Sequence, residues 1–231
     1  MPRPWRDLDE LVRTVESRAT HLASSIHGPS HWRAVGATTA ELASASAPGP
    51  AEVVGDGGDR AGVAGARGTA AGADAGRAAA TEGGAGGRDL AAGDTTADGP
   101  DPAAADRELL LLFALLHDAC RVDDGRDLEH GPRAEVLLAD LRTAGHLDLA
   151  ADRADVLAEA LRDHTAGGLS AEPTIAVCWD ADRLLIGRVG IVPDPRFCST
   201  VEARRRAHVS ELPDLVGPPT WGEVAALLGV A

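Results

Sequence analysis

Histidine and aspartate fall in this chain where a metal ion would need them. The groups are the run His27-Gly28-Pro29-Ser30-His31-Trp32, the doublet His117-Asp118, His130, His164, and the run Asp180-Ala181-Asp182-Arg183-Leu184. Neutral imidazole offers a ring nitrogen and aspartate a carboxylate oxygen, donors that suit Mn, Fe, Co, Ni and Zn alike. The doublet follows directly on an apolar stretch, 109–116. An ionisable pair at that point is costly to bury without a partner. A divalent cation removes the cost, because it is a large local positive charge that needs N and O ligands. A single histidine in a helix is more often a surface or satisfied core residue, and His21, His146 and His208 are read that way.

The elements that must position these groups are helical. Residues 7–25 place Leu8, Leu11, Val12, Val15 and Leu22 near a 3.6-residue period. A second helix starts near Pro29 and carries His31, Val35 and Leu42. Asp106 is an N-cap for 107–120. A helix begins at Glu129 or His130 and runs through Leu141, and another spans 151–164. Pro173 suits an early helical position ahead of 174–186. Thr220-Trp221-Gly222-Glu223 forms a capping box before 224–228. Few alternating strand patterns occur, so the fold class expected is all-α, with the candidate ligands at or near helix ends.

Three blocks carry a family resemblance. Around the doublet the chain reads LLFALLHDACRVDDGRDLEHGPRA, near the last aspartates CWDADRLLIGRVGI, and early on HGPSHWRAV. In that order they resemble the HD superfamily of metal-dependent phosphohydrolases, over about residues 20–40 and 107–200. The resemblance implies an HD-domain helical bundle in which His31, His117, Asp118 and Asp182 are metal ligands. Asp180 competes with Asp182, but the two lie about 200° apart around a helix, so both cannot face one ion equally. Asp182 is favoured because it directly precedes the basic residue of the family's block. Asp180 is then an acceptor behind the ligands or a surface charge. His27 competes in the same way with His31, which aligns better. His130 and His164 match positions that hold a second metal in some HD proteins. Otherwise they cap helices or contact substrate phosphate around one ion. With two ions, Asp118 is the natural bridge, since a carboxylate offers two oxygens.

Arg121, Arg133, Arg183 and Arg188 surround these positions, and guanidinium forks suit phosphate oxygens. Each could equally pair with acidic groups such as those of 123–127. Arg183, next to the last ligand, and Arg121, one turn past His117, are favoured. With Asp180 they complete the candidate catalytic residues. Glu129 and Asp124 are both candidate general bases.

The 231-residue chain has a formal charge of −14 and contains no lysine. That balance argues against a nucleic-acid partner, which usually meets a basic face. Residues 44–105 hold more than half of the 27 glycines and no aromatic residue. Such a segment cannot bury enough apolar area to offset the entropy of ordering it, and it is read as a disordered insert. The domain would then comprise 1–43 and 106–231. Cys120, Cys178 and Cys198 form no C-x-x-C pair, so neither a thiolate zinc site nor a disulfide framework is suggested. The N-terminus lacks a signal peptide's apolar core, and no apolar run reaches the ~18 residues of a membrane span. The expectation is a soluble, cytoplasmic protein with no membrane partner and an oligomeric state the sequence does not reveal.

The function these readings imply is hydrolysis of a small phosphoester or nucleotide by a metal-activated water, using one or two divalent transition-metal ions. A bound metal lowers the pKa of water from about 15.7 toward about 7. Two alternatives share the residues: an HD-fold di-iron oxygenase, and a non-catalytic sensor module that binds metal or nucleotide.

Overall fold

The computed structural model describes residues 3–45, 99–209, 217 and 219–231. Among the described residues eight α-helices follow in order: α1 (Leu8–Arg18), α2 (Pro29–Ser44), α3 (Arg107–Leu116), α4 (His130–Thr143), α5 (Ala151–Asp163), α6 (Pro173–Leu184), α7 (Val201–Val209) and α8 (Trp221–Leu228). No strand occurs among the described residues, so the fold is all-α.

Local signals set most helix ends. The Asp7 carboxylate accepts from Glu10 N, and Asp106 accepts from Glu108 N and Leu109 N. Proline occupies the first helical position of α2 and α6, where its missing N–H goes unused. Thr220 and Glu223 form the capping box of α8.

Helix α3 is the axis of the bundle. Leu109, Leu110, Leu111, Leu112, Phe113, Ala114, Leu115 and Leu116 are all buried. A helix apolar on every side must be enclosed by others. α2, α5, α6 and α8 pack around α3, with α1 and α4 touching it more lightly.

The structure departs from the sequence reading in four places. α1 stops at Arg18 rather than near residue 25. Thr20 N instead donates to Ala119 O at 3.1 Å, tying the next loop to the end of α3. Leu22, expected on the apolar face, is 40% exposed. α3 ends at Leu116, and 117–120 form a turn. The boundaries assigned to the insert are too wide. Ser44 belongs to α2, Pro102–Ala104 form a 3₁₀ turn capped by Asp101, and Pro102 and Ala105 are buried. Residues 46–98, which make up nearly all of that stretch, lie outside the described residues. Finally, α7 was not anticipated. Among the described residues no helix is long and apolar enough to cross a membrane.

Candidate metal centre

Helix ends deliver the site. His117 caps the C-terminus of α3, with Asp118 next to it, and His164 caps the C-terminus of α5. Asp182 lies in the last turn of α6. His130 opens α4, and His31 is in the first turn of α2. Three helix C-termini therefore bring partial negative charge to the cluster and two N-termini bring partial positive charge, so the helix dipoles largely offset one another. Gly131 allows a close approach within the site. A Cβ there would lie 2.6 Å from Arg162 O and 2.7 Å from Leu161 O. The bare glycine lets the start of α4 abut the end of α5, which brings His130 to His164.

The cluster is organised around Asp118, which is buried along with His27, His31, His117, His130 and His164. Oδ2 faces His27 Nδ1 at 3.0 Å, His31 Nε2 at 3.6 Å and His117 Nε2 at 3.7 Å. Oδ1 faces His130 Nε2 at 3.1 Å and His164 Nε2 at 3.9 Å. Asp182 Oδ1 joins the first set, 3.2 Å from His31 Nε2. The donor atoms form three groups within 4.8 Å: His27, His31 and Asp118; His31, His117 and Asp182; and Asp118, His130 and His164.

The imidazole hydrogen bonds show that these groups fit a cation. His117 Nδ1 meets Ala114 O at 3.1 Å and His164 Nδ1 meets Leu161 O at 2.7 Å. His130 Nδ1 bonds Asp127 O. A carbonyl oxygen only accepts, so each Nδ1 carries the proton and each neutral ring presents an Nε2 lone pair. Yet His130 Nε2 and His164 Nε2 are 2.8 Å apart. Lone pairs facing one another beside a carboxylate repel unless a positive charge sits between them. A proton can supply that charge at one ring, and a metal ion can supply it for the whole set.

Electrostatics follow from burial and from this crowding. Burial pushes His117 down to about 3 and lowers His31 as well. For Asp118 burial acts upward, but the surrounding histidines, His117, His130, His164 and His27, hold its carboxyl well below the usual range. Asp182 is likewise held well below, against burial, by His31 and Arg188. His164 is raised despite burial, by the nearby carboxylates of Asp118 and Asp182. At neutral pH the carboxylates are ionised and His117 and His31 are neutral, the protonation states that ligation requires.

The other sequence candidates separate clearly. Asp180 is not part of the cluster. Its carboxylate faces away and accepts from Ser199 N at 2.8 Å, Thr200 N at 2.7 Å and Thr200 Oγ1 at 2.8 Å, which anchors the start of α7. Arg121 Nε lies 3.3 Å from Asp118 Oδ1. Arg183 Nη1 donates to Gly168 O and Phe197 O at 2.7 and 2.6 Å, while its Nη2 is buried without a hydrogen-bond partner among the described residues. Arg188 Nη2 reaches Asp182 Oδ1 at 3.5 Å and His27 Nδ1 at 3.3 Å. Arg133 binds Asp127 and Cys120 O and serves the loop instead. Sequence reasoning set His27 aside in favour of His31, and the structure places both in the cluster. Their spacing of four residues was the available signal.

A cleft of about 660 Å³ opens onto the cluster, reaching His27, His164 and Asp182, with Arg121, Arg183 and Arg188 in its wall. Asp124, bonded to Ser24 Oγ, also lines it, and Glu129 does not. Compared with known proteins, the chain matches no family model, no curated protein and no solved structure.

Proposed function

We propose that this protein is a metal-dependent phosphohydrolase with an HD-type site, in which the two sets of histidines on either side of Asp118 would hold two divalent ions. The observation that carries the reading is the division of histidines between the two oxygens of one buried carboxylate: His27, His31 and His117 toward Oδ2, His130 and His164 toward Oδ1. Asp182 completes the first set. When bound, such ions supply a low-pKa water as nucleophile and Lewis acidity toward phosphoryl oxygen. The chain's own contribution is positioning and charge. The guanidiniums of Arg121, Arg183 and Arg188 line the cleft, where their positive charge favours an anion and charge developing on phosphoryl oxygens.

The test is metal analysis of the purified chain together with phosphoester turnover under added Mn, Mg, Co or Ni. Two ions per chain and turnover abolished in His117→Ala support the reading. No turnover of any phosphoester with the metal bound would overturn it. The same arrangement also favours a second reading, a di-iron oxygenase. Two irons after anaerobic purification, with oxygen consumption and no phosphate release, would select that reading.

A further inference from the structure

Part of the cleft lining is apolar, and nothing in the metal chemistry calls for it. Ile186, Val189, Ile191, Val192, Pro193 and Phe197 form it. Of these, Ile191 is 53% exposed, Val192 70% and Phe197 47%. Apolar side chains scattered singly over a surface need no account, but a contiguous group beside a functional site marks a binding surface. The segment is also held in place from both ends by groups of the site. Arg188 donates to Leu185 O and Ile26 O at its start. Arg183 donates to Phe197 O at its end, and Asp180 fixes Ser199 and Thr200 just beyond. A wall fixed before binding loses little entropy when a ligand arrives.

We infer that this wall seats an apolar alkyl or aryl body of the substrate, so that the substrate class is an amphiphilic organic phosphate rather than a nucleotide. The inference rests on the phosphoester reading for the anionic end alone. The cleft is concave, is continuous with the metal cluster, and has a volume within the ~300–1,000 Å³ range of small-molecule sites. A nucleobase would need polar partners for its edge. On the lining segment from Ile186 to Phe197 the one carboxylate, Asp194, is already bonded to Arg196.

The experiment is calorimetric titration of the Mn-loaded full chain with methyl-, propyl- and pentylphosphonate, which cannot be hydrolysed, and with alkyl carboxylates of matching length. Affinity for the phosphonates should rise about two- to fourfold per methylene. The double variant Ile191→Ser/Val192→Ser and the single variant Phe197→Ser should flatten that dependence while methylphosphonate binds as before. These side chains are exposed, so the variants should melt like the parent. Phosphonate binding without length dependence overturns the inference and leaves the phosphoester reading standing. Equal length dependence with carboxylates keeps the apolar seat and counts against the phosphate reading. Failure of every ligand to bind overturns the inference. So does a change in self-association in the serine variants with the length dependence intact, which would make the wall an interface between copies.

Discussion

At the residue scale, two aspartates two positions apart do unrelated work. Asp182 points from the last turn of α6 into the histidine cluster, and Asp180 points to the backbone at the start of α7. Asp180→Asn replaces one accepting oxygen with an amide that meets the N–H groups of Ser199 or Thr200 donor to donor. It should destabilise the protein by about 1–3 kcal/mol and leave the rise in melting temperature on adding Mn unchanged. Asp182→Asn should also cost the metal-free fold stability, because it loses the charge that His31 and Arg188 face, but it should remove most of the Mn-dependent rise. Thermal melts with and without Mn check both, and an equal Mn response in the two variants would show that neither aspartate reaches the ion. The helical angle between positions 180 and 182 made it legible in the sequence that they could not share an ion. Which one faced it needed the tertiary contact with α7. His27 was hidden for a related reason. The turn at 19–28, tied to Ala119, returns it to Asp118, and no periodicity records that return.

At the element scale, the bundle was legible wherever a helix carries its own reasons. α3 is apolar throughout, and α2, α6 and α8 announce themselves through proline or a capping box. α7 was not legible because its sequence, VEARRRAHV, buries little beyond Ala203 and Ala207, and its start is held by Asp180 from another helix. The contact of α4 with α5 invites a direct test. Gly→Ala in a helix interior ordinarily stabilises by about 1 kcal/mol. At Gly131 the added methyl would meet two backbone carbonyl oxygens, one of which, Leu161 O, also accepts from His164 Nδ1. Gly131→Ala should therefore destabilise by about 1–3 kcal/mol and spread His130 from His164. Metal stoichiometry should fall from two ions toward one, measured by elemental analysis. A more stable Gly131→Ala protein that retains two ions would show that the close approach has no role in the site.

At the scale of the whole molecule, the cluster couples folding to both pH and metal. The region between α2 and α3 should matter little to either. Arg107 Nη2 donates to Ala43 O at 3.2 Å, so the end of α2 and the start of α3 are already neighbours. Loop-closure entropy grows only logarithmically with length. Joining Ala45 to Gly99 through a short linker should thus preserve the Mn-dependent rise in melting temperature, and its loss would implicate 46–98 in the site. The pH dependence follows from the histidines. His117 sits at about 3 in the folded protein against 6.5 when free, and His31 is lowered too. Below pH 6.5 the unfolded chain therefore takes up protons that the folded chain does not. Metal-free stability falls with pH by about 1.4 kcal/mol per unit for each fully buried histidine of this kind. Asp118 and Asp182, held well below 3.8, contribute stability above that value and lose it as pH falls through their folded pKa. His164 runs the other way. Raised above 6.5, it stabilises the fold below that pH, and the contribution is lost as pH rises through its folded value. The metal-free protein should accordingly be most stable near pH 6.5. A metal ion displaces the proton from His164, the ring held above its ordinary value, whereas His117, at about 3, is already neutral at pH 5. The rise in melting temperature on adding Mn should therefore grow as pH rises from 5 through the folded pKa of His164, by up to about 1.4 kcal/mol per unit for that one proton. A rise that stays constant across that interval would mean that no ion binds at His164, and the second ion of the cluster would be lost, leaving a one-ion site at His31, His117 and Asp182.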